Sequence, residues 1–187
     1  MAKYFIVFVS VKPYVKRFIE THFGLPANFI PHSEEYNLVQ RCLCDPRIKY
    51  DGKLETKMGT YTEKIEILVS QDIFYRYGWE FTRTDTVYFG KYFERQVKFY
   101  MVNYISIYIG LGLSIKEAIK QFQDFYEMEE QYWSFESISK YYYRHKPKKR
   151  FEFYDHLITQ VNQLFVVALS GKSDKFTRKK SLYEINE

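Results

Sequence analysis

The sequence predicts an α+β protein: a small N-terminal α/β layer of three or four strands, then a C-terminal helical module. Three observations predict it. Residues 4–11 (YFIVFVSV) form a nearly unbroken apolar run rich in β-branched and aromatic residues, the signature of a strand. Residues 62–69 (TEKIEILV) alternate, with Ile65, Ile67 and Val69 against Lys64 and Glu66. From about Thr84 the period changes to three and four residues and no strand signal returns. The organisation expected is an α/β region over 1–80, a helix-turn-helix-like region over 81–170 and a flexible basic tail over 171–187.

Taken in order, the first run is expected to be a central strand buried on both faces. Lys12-Pro13 sets a helix start, since proline's missing N–H is no loss there. Val15, Phe18, Ile19 and His22 share one face of that helix, and Gly24 with Pro26 ends it. Lys12, Lys16 and Arg17 make a small basic face expected to be solvated. Ser33 before Glu34 and Glu35 reads as the cap of a short helix through Leu43. Asp51-Gly52 is a hairpin signal, because that pair supplies the positive φ angles of a two-residue turn. Ser70 caps a short helical turn that Gly78 closes.

A long helix follows. Its stripe is Phe89, Phe93, Val97, Tyr100, Tyr104 and Ile107, with Lys91, Glu94, Arg95 and Lys98 off the stripe. Gly110 and Gly112 break it. Ser114 caps the next helix, which buries Ile115, Ala118, Ile119 and Phe122. A third helix is expected at about 129–145, and Pro147 separates it from an amphipathic helix at 151–169. The last carries Tyr154, Leu157, Ile158, Val161, Leu164 and Phe165 on one side. Residues 99–115 carry no charge, but they are short for a bilayer span and contain Asn103, Ser106, Gly110 and Gly112. A buried core helix is the expected reading, with no membrane partner.

Composition narrows the function classes. The chain has 187 residues, 46% hydrophobic and 27% charged, which suits a folded domain and excludes intrinsic disorder. Nineteen Tyr and seventeen Phe are more than one core of this size needs, so some rings are expected at a surface, where they either pack against a partner or stack on bases. The two cysteines, Cys42 and Cys44, stand too close for an easy disulfide, so a reducing, cytoplasmic setting is expected. The four histidines have no ligand spacing with them, and neither a metal nor another cofactor is expected. No phosphate-binding glycine loop, dinucleotide fingerprint, zinc-hydrolase motif or nucleophile elbow is present, and no catalytic residue is assigned.

Charge is the informative feature. The net charge is +5, and residues 140–150 (KYYYRHKPKKR) hold six Lys and Arg with no acid, leaving −1 for everything else. That clustering is the footprint of a phosphate-binding protein, while a solvated basic stretch is the bland alternative. The run ends the segment 114–150, whose outline is helix, short polar link, helix. In a helix-turn-helix the second helix reads nucleic acid. On it Met128, Tyr132, Phe135 and Ile138 are expected on one face, and Ser134, Ser137, Tyr141 and Arg144 on the other. Short hydroxyls near a helix N-terminus can approach bases and phosphates, and arginine can reach a phosphate or a guanine edge. The candidate nucleic-acid-binding residues are Ser134, Ser137, Lys140, Tyr141, Arg144, His145, Lys146, Lys148, Lys149 and Arg150. A purely structural helical bundle and a protein-docking surface fit the same segment. The link 126–130 has no glycine, and its Glu127, Glu129 and Glu130 repel DNA.

The blocks VKPYVKRFIETHFG (11–24) and SIKEAIKQFQDFYEMEEQYWSFESISKYYYRH (114–145) resemble uncharacterised proteins of Bacteroidales phages and integrative elements. The second block is also similar to the C-terminal helix-turn-helix of the Mor family of phage transcription activators. It departs from that family at the turn, and the N-terminal half has no counterpart there. The resemblance implies a mobile-element setting and DNA binding, and it carries over no catalytic residue. The function expected is therefore a nucleic-acid-binding protein, DNA before RNA, in a regulatory or replication accessory role. The alternative is a non-enzymatic assembly protein, a virion or replisome component, whose Tyr-rich helices form a homo-oligomer interface.

Overall fold

The structure, a computed structural model, describes residues 3–47 and 58–147. The Asp51-Gly52 hairpin, the segment 151–169, the tail 171–187 and the cations Lys148, Lys149 and Arg150 lie outside the described residues.

The architecture is α+β. Strand β1 (Tyr4–Val11) leads into α1 (Pro13–Phe23); α2 (Glu34–Cys42) runs into the two-residue β2 (Leu43–Cys44). Then come β3 (Glu63–Ser70), α3 (Gln71–Tyr77), the two-residue β4 (Glu80–Phe81), α4 (Arg83–Gly110), α5 (Ile115–Phe125) and α6 (Phe135–His145). β1 pairs antiparallel with β3, from Tyr4 opposite Ser70 to Val11 opposite Glu63. β2 pairs antiparallel with β4. On the far side of β3 the chain after α1 adds a single bridge, with Ala27 N–H donating to the Glu66 carbonyl at 2.8 Å.

The long sheet corrects the expectation of a strand buried on both faces. Val7, Val9 and Val11 of β1 and Ile65, Ile67 and Val69 of β3 are buried. Tyr4, Ile6 and Phe8, which alternate with those valines, are 58%, 47% and 57% exposed. The apolar run records two faces of which only one is covered among the described residues. β2 and β4 left no periodic signal, being two residues long each.

The inner face of the sheet meets α1 and α4 in one buried core. Phe29 stacks on Phe93, Phe23 meets both edge-on, and Phe122, Ile119 and Ile138 continue the core into α5 and α6. Buried apolar area of this kind stabilises by about 25 cal/mol per Å². No helix among the described residues is long and apolar enough to cross a membrane.

Helix ends follow local chemistry. Ser33, Thr82, Ser114 and Ser134 each accept from a backbone N–H of the first turn. Ser114 and Glu117 complete a reciprocal capping box. Ser70 sits at the cap of α3 without a side-chain bond. Helices α4 and α5 end alike. After α4, Leu113 N–H reaches the Tyr108 carbonyl and Gly112 N–H the Ile109 carbonyl, with Gly112 at φ 99°. After α5, Met128 N–H reaches Gln123 and Glu127 N–H reaches Asp124, with Glu127 at φ 49°. Both are Schellman caps, in which the left-handed position usually falls to glycine. The link that lacked a turn glycine makes the same turn with a glutamate.

Candidate nucleic-acid interface

Helix α6 begins at Phe135 rather than near 129; residues 126–134 are the turn, followed by a helix anchored by buried Ile138 and Tyr142. In the turn Tyr126, Met128 and Trp133 are buried, and Trp133 stacks on Tyr14 of α1 at 4.7 Å between centroids. Tyr132 is not in the core but lies half-buried under Arg17, whose guanidinium carbon is 5.3 Å from its ring. Gln123 Nε2 donates to the Trp133 carbonyl at 3.0 Å, tying the end of α5 to the start of α6. His22 Nε2 lies 2.9 Å from the Tyr126 hydroxyl and ties the turn to α1. Burial lowers the His22 pKa and pushes the Tyr126 phenol up to about 12.

The N-terminal end of α6 is not arranged as the sequence suggested. Ser134 is the N-cap: its Oγ accepts from Ser137 N–H and lies 2.8 Å from Ser137 Oγ. The two hydroxyls are therefore engaged with each other, and that of Ser134 also with the helix backbone. The Glu130 carboxylate accepts the Phe135 N–H at 2.9 and 3.0 Å, and Glu136 lies in the first turn. A helix N-terminus carries partial positive charge that favours anions. Here protein carboxylates already occupy it, so a phosphate approaching this end meets like charge.

The C-terminal end is different in sign. Arg144, His145 and Lys146 are exposed, and none has an acidic partner within 4.0 Å among the described residues. Lys140, one turn earlier, is paired with Glu136 at 2.6 Å, which holds that carboxyl below its usual range. Tyr141 and Ser134 are half-buried, so the outward face is Ser137, Lys140, Tyr143 and Arg144 rather than the expected Ser134, Ser137, Tyr141 and Arg144. Tyr141 stacks on His145 at 3.9 Å, and Lys98 of α4 lies 5.3 Å from the same ring. Tyr143, 53% exposed, has the Lys146 ammonium 5.0 Å from its ring. The sequence reading missed Lys98 and Tyr143. The only signal for Tyr143 was its place in the run of three tyrosines, and Lys98 reaches the site through the fold.

The basic face expected on α1 is also corrected. Lys12 pairs with Glu94 at 2.8 Å, Lys16 with Glu63 at 3.0 Å, and Arg17 with Glu20 at 3.5 Å. Glu94, expected to be off the buried stripe of α4, is one of its buried residues. It holds both Lys12 and Lys98, the latter at 3.7 Å, and accepts from the Tyr61 hydroxyl at 3.5 Å. Burial and the adjacent Glu94 charge push the Tyr14 phenol far up. This network is a structural clasp between α1, α4 and the segment before β3.

Other chemistry is sparse. Cys42 and Cys44 are free and buried, and burial pushes the Cys42 thiol up to about 12, far from a reactive thiolate. A groove of about 410 Å³ lined by Glu34, Tyr92, Arg95, Gln96 and Phe99 holds no nucleophile with an adjacent base.

The fold and site define an α+β protein in which α5, the turn 126–134 and α6 lead to a cationic, aromatic-flanked tip. No protein-family model, no curated protein and no solved structure matches the chain.

Proposed function

We propose that the protein binds nucleic acid, DNA before RNA, through the C-terminal end of α6 and the cationic run that follows it. The observation that supports this reading is the exposed group Arg144, His145 and Lys146, unpaired with acid among the described residues, leading directly into Lys148, Lys149 and Arg150. Cations so placed neutralise phosphates and release counterions, which makes affinity salt-dependent. Tyr143 beside Lys146 and the Tyr141–His145 pair beside Lys98 add rings that can lie against bases or sugars. Because Glu130 and Glu136 occupy the other end of the helix, the approach runs from the C-terminal end, and backbone contacts outweigh base reading. A regulatory or replication accessory role of a phage or mobile element fits such binding.

The test is a fluorescence anisotropy titration of labelled duplex and single-stranded DNA at low salt. Arg144→Ala with Lys146→Ala should weaken binding by roughly tenfold, as expected from two lost phosphate contacts. Arg41→Ala with Arg76→Ala removes the same charge from exposed positions on α2 and α3 and should leave binding within about twofold of wild type. Equal losses from both pairs would mean that net charge alone, and not this end of α6, governs binding.

A further inference from the structure

One side of α4 carries four exposed residues, Tyr88, Lys91, Arg95 and Phe99, at spacings of three and four. Phe99 is 64% exposed. Arg95 and Phe99 also line the groove of about 410 Å³ that they share with Tyr92, Gln96 and Glu34 of α2. We infer that this groove seats an unpaired base, so that the nucleic acid held at the tip of α6 is single-stranded. The inference rests on the binding proposed above and names its substrate class.

The first support is the set of groups that face the groove. Glu34 and Arg95 both line it, yet neither forms an ion pair within 4.0 Å or a side-chain hydrogen bond among the described residues. An acceptor and a cationic donor that share one space without pairing suit a ligand bringing an N–H to one and a phosphate to the other. The Tyr92 hydroxyl, in contrast, donates to Glu35 at 3.1 Å, which fixes that ring as a wall. Every base has an N–H on its Watson–Crick edge. In a duplex the opposite strand takes it; in a single strand it is open to Glu34, while the base lies on the Phe99 ring. The groove therefore seats a base without reading which base it is. Its volume falls within the range of about 300–1,000 Å³ common for small-ligand sites.

The second support is position. Lys98 follows Arg95 by three residues, about 4.5 Å along the helix axis, and precedes Phe99 in the chain. Its ammonium lies 5.3 Å from the Tyr141 ring, which stacks on His145. A strand whose phosphates meet Arg144 and Lys146 thus has the groove beside it on the neighbouring helix.

The third is the balance of charge. Lys91 and Arg95 are offset by Glu34 and Glu35, and Glu94 is buried, holding Lys12 and Lys98. The groove is close to neutral, so it contributes stacking and edge contacts and leaves the phosphates to the tip. A duplex, with its base edges taken, gains little there.

Anisotropy titrations across a range of salt concentrations test this, with a fluorescein-labelled single strand of about 12 nucleotides and the duplex of the same sequence. The wild-type protein should bind the single strand more tightly. Phe99→Ala should lower the preference for single strand over duplex roughly tenfold and leave the salt slope unchanged, because stacking releases no counterions. Tyr75→Ala, an equally exposed ring on α3, should not alter the preference. Tighter binding of the duplex, an unchanged preference in Phe99→Ala, or an equal loss in Tyr75→Ala overturns the inference and leaves binding at the tip standing. If Arg144→Ala with Lys146→Ala changes neither affinity nor slope, the tip reading fails and the inference with it. Cross-linking gives an independent reading on the unmodified protein: a single strand carrying iodouracil, irradiated and mapped by mass spectrometry, should label residues 92–99. Cross-links confined to α6 overturn the inference even if Phe99→Ala folds badly.

Discussion

Replacing Glu94 by Gln should cost about 1–2 kcal/mol of folding stability, and the structure explains the size. The carboxylate is buried, yet its two lysines keep 25% and 31% side-chain exposure, so both can turn to water when the charge goes. A fully buried broken pair costs about 3–5 kcal/mol and a solvent-exposed one about 0–1 kcal/mol; this clasp lies between them. Gln keeps the volume and can still accept from Tyr61, which removes packing from the comparison. For a chain of this size the loss corresponds to a fall of about 3–6 °C in Tm. Urea unfolding followed by tyrosine and tryptophan fluorescence would measure it. A double-mutant cycle with Lys12→Met should return a coupling of at least about 0.5 kcal/mol, because the two groups touch. A neutral or stabilising Glu94→Gln, or zero coupling, would refute the view that this clasp holds α1 to α4.

Other outcomes follow from single residues. Glu127→Gly should stabilise by up to about 1 kcal/mol, since Glu127 stands at a left-handed position where a side chain is strained, and its 4.0 Å pair with Arg17 is exposed; a loss of stability in urea would contradict the cap assignment. Gly78→Ala should cost more than about 3 kcal/mol, because φ is 103° and a Cβ would fall 2.1 Å from the Cys44 carbonyl; thermal melts showing a near-neutral change would contradict the placement of β2. Burial lowers the His22 pKa in the folded state, so the unfolded chain takes up the proton more readily. Stability contributed by neutral His22 is present above the ordinary imidazole value of about 6.5 and lost as pH falls through it. His22→Gln should therefore flatten the fall in Tm between about pH 7.5 and pH 5.5, and an unchanged slope would exclude His22 as its source.

Elements with a strong period were legible in the sequence. Ile65, Ile67 and Val69 gave β3, Ser114 gave the start of α5, and the stripe Phe89–Phe93–Val97 gave the first half of α4, whose second half buries Met101 and Ile105 rather than Tyr100, Tyr104 and Ile107. What was not legible depended on contacts distant in the chain. The run YFIVFVSV gives β1 but not its open face, because apolar residues alternate with apolar ones and period carries no information. Glu94 reads as a surface residue until Lys12, a residue 82 positions earlier, is folded against it. The start of α6 was placed too early because Met128 and Trp133 are buried by the turn itself. Within the candidate site, the cationic end was legible as a charge cluster. The use of Ser134 and Ser137 for capping was not, since a hydroxyl's partner is settled only by backbone geometry.

The proposed binding of phosphates at the C-terminal end of α6 is tested most directly by the dependence of DNA affinity on salt. Affinity of the wild-type protein should fall with a slope of about −3 to −5 in log K against log salt, from about 0.9 per phosphate contacted. Arg144→Ala with Lys146→Ala should reduce that slope by about 2. A wild-type protein that shows no DNA binding at low salt, or a slope the double variant leaves unchanged, would contradict it.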